Sequence, residues 1–323
     1  MNKTREQLLM EHKNNYLESE YRPLACVSTI NIVIPLYNGN EMFDRVLPYI
    51  SYAVNYAKQI CPALTIFVTV VDDGSDIPYF FPSGFIGPEW NIIRHMHNEG
   101  RARARNTGLK FHRECKYTIF MDADIIPYPE AIIDCIAKQE RYSSNRHSCV
   151  ICGLFHFTNT SVLNSDCTDF SFCNDFRMHC VYQDSWIGCE SDMKYIGREF
   201  NIIKDTAEWS KWPSTGFLGP WSLPNMVLGG LFCVNTSHAL SVGGLDERFS
   251  VYGFEETTLV TNLIIKKGAY IIPILNGFSK HIENDDESND RANKNILFRE
   301  AYAHYYFDFM KEKLSDVKGP GYD

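Results

Sequence analysis

The chain of 323 residues predicts an α/β fold whose core is a buried, largely parallel sheet. Three observations lead there: short continuous apolar runs, helical segments between them, and polar turns rich in Asp, Asn and Gly where the runs stop. The runs are Ile30–Leu36, Leu64–Val71, Asn91–Met96 and Tyr117–Met121. Continuous apolar strands alternating with helices are the pattern of a sheet covered on both faces. Between the first two runs, Glu41–Ile60 places Phe43, Val46, Leu47, Ile50 and Val54 at helical spacing. Asn98–Glu114 and Pro129–Arg141 read as the next two helices. In a repeated βαβ arrangement ligands collect at the carboxyl ends of the strands, where the polar turns lie.

From Asn159 to Pro224 the periodicity fades, and Trp186, Trp209, Trp212 and Trp221 stand among Gly, Pro, Ser and Asp. This segment is expected to be irregular, its tryptophans either stacking on a ligand face or anchoring a loop. Order returns with Met226–Val234 as a strand and Glu255–Lys267 as a helix closed by Gly268. Tyr270–Leu275 follows as a strand, Ile282–Asp290 as a polar stretch, and a terminal helix ends near Leu314.

Composition narrows the function. A formal net charge of -9 disfavours a nucleic-acid backbone as partner, because phosphate contacts need clustered cations. The 11 cysteines are scattered and odd in number, which points to reduced thiols rather than a disulfide framework. Cys149-Val150-Ile151-Cys152 reads as a buried strand rather than a redox or metal motif. Neither a signal peptide nor an apolar run long enough to span a bilayer is visible. A soluble cytoplasmic protein is the expectation, with peripheral membrane contact left open.

The chemistry-bearing residues sit at the strand ends. Pro35-Leu36-Tyr37-Asn38-Gly39 turns sharply without the glycine fingerprint of a dinucleotide site, which disfavours a dehydrogenase. Asp72-Asp73-Gly74-Ser75 ends the second strand, where its carboxylates either receive a base or ribose or cap the turn. Asn98–Gly108 opens a helix with Arg101, Arg103 and Arg105 at alternate positions. That cationic start suits a diphosphate, though alternate helical positions do not share one face. Tyr117–Met121 runs into Asp122-Ala123-Asp124, two acids one residue apart at the end of a buried strand. Such oxygen ligands suit Mn²⁺ or Mg²⁺ completed by substrate phosphates.

Together these motifs resemble the family 2 glycosyltransferases of the GT-A fold: a P-x-Y-N turn, DDGS, an N-x-G-x-x-x-A-R-N-x-G helix start and DxD, in that order. The resemblance continues through Gly229-Gly230-Leu231-Phe232, Gly243-Gly244-Leu245-Asp246-Glu247 and Tyr252-Gly253-Phe254-Glu255-Glu256. It implies a mixed, Rossmann-like sheet flanked by helices. It also implies an extension over 1–28, a catalytic domain over 29–281 and a C-terminal loop and helix over 282–323. Within the catalytic domain, 29–125 is the nucleotide-binding half and 126–281 the acceptor half. Tyr37 is then expected to pack near the base and Asp73 to hydrogen-bond it, with Pro35, Leu36, Asn38 and Asp72 shaping that end. Arg101 and Arg105 would face the diphosphate, and Asp122, Ala123 and Gly230 the donor sugar and ribose. Asp122, Asp124 and His281 would hold the metal.

Glu256 is the expected general base, since an acceptor hydroxyl must lose its proton as it attacks the anomeric carbon. The family commonly has Asp there, and Thr258 stands where a further acid is often found. Glu255 would orient donor or acceptor hydroxyls. The alternative for both acids is a dipole-favoured helix start. The expected activity is transfer, with inversion, from a nucleotide-diphosphate sugar, most simply a UDP-sugar, to an acceptor not identified by these residues: glycan, lipid, peptide or small metabolite. The rivals are a nucleotidyltransferase on a related fold, which would release pyrophosphate, and a non-catalytic sugar-nucleotide-binding protein. A haloacid-dehalogenase-type phosphatase is disfavoured because the first strand carries no Asp.

Overall fold

The computed structural model describes residues 3–4, 28–85, 89–143, 148–164, 169–175, 177, 180–182, 187–189, 224–250, 252–283 and 288–315. The first half builds as the apolar runs dictate. Strands β1 (Thr29–Leu36), β2 (Thr65–Asp72), β3 (Trp90–Arg94) and β4 (Tyr117–Met121) alternate with helices α1 (Asn40–Ile60) and α2 (Arg101–Phe111). The two-residue strand β5 (Ile125–Ile126) and helix α3 (Ala131–Tyr142) follow, then β6 (Cys149–Cys152) and β7 (Phe155–Asn159). The second half adds β8 (Leu231–Asn235), α4 (Thr236–Ser241), α5 (Glu255–Lys267), β9 (Tyr270–Pro273) and β10 (Ser279–Glu283). At the carboxyl end α6 (Ser288–Ala303) passes through a π-helical stretch, His304–Phe309, into α7 (Met310–Ser315).

Seven strands form one sheet in the order β9-β6-β8-β4-β1-β2-β3, in which only β8 runs antiparallel to its neighbours. The sheet is therefore mixed, with β4, β1, β2 and β3 mutually parallel and the reversed strand third from the β9 edge. Alternation along the strands splits the core into two layers. Ile30, Ile32 and Ile34 of β1 face the layer that holds Phe43, Leu47 and Ile50 of α1 and Ile132 and Ile136 of α3. Val33, between them, faces the layer of Ala104 and Leu109 of α2 and Leu259, Val260 and Leu263 of α5. Gly108 is required by closeness: a Cβ there would lie 2.3 Å from a Val33 methyl, so α2 lies directly on β1.

A second sheet, β5-β10-β7, stands at the carboxyl end of β4. β10 pairs antiparallel with β5 and parallel with β7, and its His281 sits opposite Ile125. That register decides the site, because Ile125 directly follows Asp124. Cys149–Cys152 is a wholly buried strand, as expected of its apolar interior, and burial pushes both thiols up to about 12. The expected strand Met226–Val234 divides. Pro224–Met226 is a 3₁₀ turn, Gly229-Gly230 a tight turn, and regular pairing begins only at Leu231. Among the described residues no helix is long and apolar enough to cross a membrane. The tryptophans Trp186, Trp209, Trp212 and Trp221 lie outside the described residues.

Candidate active site

The ends of β1, β2 and β3 meet in a knot of short bonds. Asp72 is wholly buried. Its Oδ1 accepts from the Ser75 amide at 2.9 Å, and its Oδ2 accepts from the Tyr79 amide at 3.1 Å and from Arg94. Burial opposes the charge, but these donors hold the carboxyl below the ordinary aspartate value. Asp73 accepts from the Glu99 amide at 3.0 Å, the Gly100 amide at 2.9 Å and the His95 ring at 2.6 Å. Both carboxylates hold backbone here: Asp72 shapes its own turn and Asp73 ties it to the start of α2. Gly74 is needed at the crossing, with φ at 75° and a would-be Cβ 2.3 Å from the His97 carbonyl carbon.

Around this knot the first-strand turn is open. Asn38 adopts a left-handed φ of 50°; its side chain donates to Asp76 Oδ2 at 3.1 Å and accepts from the Asp76 amide at 2.8 Å, and its own amide donates to Ser75 Oγ at 2.9 Å. Leu36 is buried, and its carbonyl accepts from the Asp73 amide at 2.8 Å. Tyr37 is left half exposed beside the Asp72–Ser75 turn.

Of the three arginines of α2, the helix period sends each to a different place. Arg101 is half exposed, lies over the Tyr252 ring and comes within 4.0 Å of Glu255. Arg103 is exposed and pairs with Glu99 and Glu247. Arg105, one turn below Arg101, is turned inward and is 1% exposed. Its guanidinium donates to Asp122 at 2.6 Å and to Glu255 at 3.1 Å. The structure thus places Arg105 between two acids of the site rather than on an open face. Gly229 leaves it room, since a Cβ there would lie 2.3 Å from its terminal nitrogen.

Asp122, Asp124 and His281 come together as the resemblance implies. Their ligand atoms lie within 4.8 Å of one another. His281 Nε2 is 3.5 Å from Asp124 Oδ1, and the Ile282 amide donates to the Asp124 carbonyl at 3.1 Å. Phe155 and Phe157 flank the imidazole. The fit to a hard divalent cation rests on donor chemistry: two carboxylates and an imidazole converge, and Asp124 Oδ1 is buried without a hydrogen-bond partner. Burial works to raise both carboxyls. Arg105, Arg101 and His281 outweigh it at Asp122, which is lowered, whereas burial and the Asp122 charge leave Asp124 raised.

Glu255 and Glu256 open α5. Glu255 is occupied by Arg105 on one oxygen and by the Gly253 amide on the other, at 3.1 Å. Glu256 Oε1 accepts from the Gly229 amide at 3.2 Å, whereas its Oε2 is buried without a partner. Burial, then the neighbouring Glu255 charge, pushes the Glu256 carboxyl up to about 8, against the pull of Arg105. The dipeptide Gly229-Gly230 joins the two halves of the site: Gly229 donates to Glu256, and the Gly230 carbonyl accepts from the Asp122 amide at 3.1 Å. A Cβ on Gly230 would lie 2.7 Å from the Phe155 ring, so both glycines are sterically required.

Sequence reasoning missed His95, which bridges Asp73 and Thr107, because a histidine at a strand end carries no pattern of its own. It also missed the inward turn of Arg105. The signal was present in the i, i+4 spacing of Arg101 and Arg105, which places them on one face and one of them deeper.

The fold has counterparts among known proteins. No curated protein matches the sequence significantly. Among solved structures, the chain is similar to a mannosyltransferase from Pyrobaculum calidifontis in complex with GDP-Man and Mn²⁺. The TM-score is 0.53 at 13% identity, over 98% of this chain and 73% of that one. It is also similar to GalNAc-T7 with UDP, GalNAc and Mn²⁺, with a TM-score of 0.50 at 13% identity, over 90% of this chain and 52% of that one. At such identity the likeness is one of fold, and the fold is that of GT-A glycosyltransferases. The family model for glycosyl transferase family 2 matches residues 31–200, more than half of the chain, and the protein belongs to that family.

Proposed function

We propose that the protein transfers a sugar, with inversion, from a nucleoside-diphosphate sugar held at the ends of β1, β2 and β4 to an acceptor nucleophile deprotonated by Glu256. The observation that carries this reading is the free Oε2 of Glu256, buried and unpartnered beside the Gly229-Gly230 turn, which bonds Glu256 through one residue and Asp122 through the next. A UDP-sugar is the proposed donor class, as the family resemblance implies, with Mn²⁺ or Mg²⁺ as the metal. The two similar structures support a nucleotide sugar with Mn²⁺ in this fold, one with GDP-Man and the other with UDP.

Each residue has a physical task. Tyr37 offers a ring face to the base beside the turn that Asp72 and Asp73 hold rigid. Asp122, Asp124 and His281 would hold the cation, which when bound offsets the negative charge developing on the departing diphosphate. Arg101, half exposed and near Asp122, adds positive charge on the same side. Arg105 keeps Asp122 ionised and fixes Glu255, so that α5 presents Glu256 in one orientation. Glu256 takes the acceptor proton on Oε2 once the carboxyl is ionised.

Calorimetric titration with UDP, UDP-sugars and GDP-mannose tests the donor side. Binding of a nucleotide sugar is expected with Mn²⁺ present and weakened at least about tenfold by EDTA, because the diphosphate then faces two carboxylates uncompensated. Equal affinity with and without metal would overturn the metal-dependent reading.

A further inference from the structure

Phe254, which directly precedes the two glutamates, has an unusual backbone. Its φ is 65° and ψ 0°, in the left-handed region that a bulky residue seldom enters. Gly253 before it is also at positive φ, 108°, and its amide holds Glu255. Strain of this kind persists only where surrounding structure over-determines it. Here the surroundings are the carboxyl-terminal helices. The Phe254 ring is stacked on Tyr305, with centroids 5.0 Å apart and planes at 24°, and lies 5.2 Å from Phe298. A Cβ on Gly253 would come within 3.2 Å of Phe298, so α6 also lies close against the turn.

Tyr305 grips α5 at a second point. Thr261 gives its only hydroxyl proton to the Thr257 carbonyl at 2.8 Å, so the 2.6 Å contact between the hydroxyls has Tyr305 as donor to Thr261. One buried side chain therefore holds both the entry and the middle of the helix that carries Glu255 and Glu256. The π-helical stretch His304–Phe309 buries Tyr305, Tyr306 and Phe309 around it, the sort of irregularity that helices keep at functional places.

We propose that Phe254 and Tyr305 are positioning residues: the carboxyl-terminal aromatic segment clamps the left-handed turn before α5 and so fixes where Glu256 Oε2 points. The proposal rests on Glu256 being the general base. It assigns the last described helices a part in the chemistry of the site.

Phe254→Gly separates this role from one in stability. Glycine accepts a left-handed φ more readily than phenylalanine, so the backbone alone would welcome it, while the ring stack is lost. In the full chain with Mn²⁺ and nucleotide sugar, Phe254→Gly is expected to lower kcat at least about tenfold, in line with the sensitivity of catalysis to small misplacements. KM for the donor should stay within about twofold and Phe254→Tyr should restore most of the rate. In a Glu256→Gln background, adding Phe254→Gly is expected to change kcat by less than about twofold, because both act through one carboxylate. An undiminished kcat in Phe254→Gly, or an equal loss in both backgrounds, would overturn the clamp. Full activity of Glu256→Gln alone would instead overturn the reading beneath it. Should Phe254→Gly not fold, Tyr305→Phe, which removes only the bond to Thr261, is expected to lower kcat about threefold or more at unchanged KM, and no change would overturn the proposal.

Discussion

Replacing Glu256 with glutamine is expected to lower kcat by about 10²–10⁴-fold while donor binding is retained, the range that loss of a positioned general base produces. Glutamine keeps the Gly229 bond through its carbonyl oxygen, so the polypeptide around Gly229-Gly230 has no reason to move. What disappears is the one oxygen that can take a proton. The wild-type carboxyl is pushed up to about 8 from an ordinary value of 4.5 by burial and by the Glu255 charge. The dependence of kcat/KM on pH, which reports the free enzyme, should therefore rise through about 8, and that limb should be absent from Glu256→Gln. Stability carries the same signature with the opposite sense. The folded value lies above the unfolded one, so the contribution of the protonated group is complete below pH 4.5 and is lost as pH climbs through about 8. Denaturant titrations at pH 5 and pH 8.5 should show the wild type losing more stability over that interval than Glu256→Gln does.

Asp124→Asn is expected to remove tight Mn²⁺ binding and, with it, metal-dependent turnover. The residue sits where β4 gives way to β5, with His281 3.5 Å away and a buried oxygen that has no other partner. Losing outer-shell support at metal sites costs about 10–100-fold in affinity, and loss of a direct ligand should exceed that. Electron paramagnetic resonance of bound against free Mn²⁺ reads this without any assay of activity. The asparagine leaves the backbone bond from Ile282 intact, so unchanged Mn²⁺ affinity in a folded variant would remove Asp124 from the metal set.

Much of the strand-end geometry was legible in the sequence because a parallel sheet exposes the ends of its strands, and there motif and architecture coincide. Pro35–Asn38, Asp72–Ser75 and Asp122–Asp124 each lie at the carboxyl end of a strand that its apolar residues announce. Glu255–Lys267 was legible to the residue, with acids at its start, lysines at its end and Gly268 in a left-handed cap. Other parts were hidden for physical reasons. β5 has two residues, too few for any periodicity, yet its pairing with β10 is what brings His281 to Asp124. Met226–Val234 reads as one apolar run, and only the close approach of Arg105 and Phe155 explains the turn at Gly229-Gly230. The occupied state of Asp73 depends on amides 26 and 27 residues away, a tertiary fact without local trace. Phe254 is similar: nothing in its neighbourhood signals a left-handed phenylalanine, and its reason lies in Tyr305, far along the chain.

The most direct test is phosphorus nuclear magnetic resonance of the wild-type chain incubated with Mn²⁺ and the nucleotide sugar that binds most tightly. Growth of the resonances of a nucleoside diphosphate is expected, absent with EDTA and in Asp124→Asn, and strongly slowed in Glu256→Gln. Inorganic pyrophosphate, or a sugar phosphate with a nucleoside monophosphate, would mean that a phosphorus centre rather than the anomeric carbon is attacked, and would overturn glycosyl transfer as the reaction.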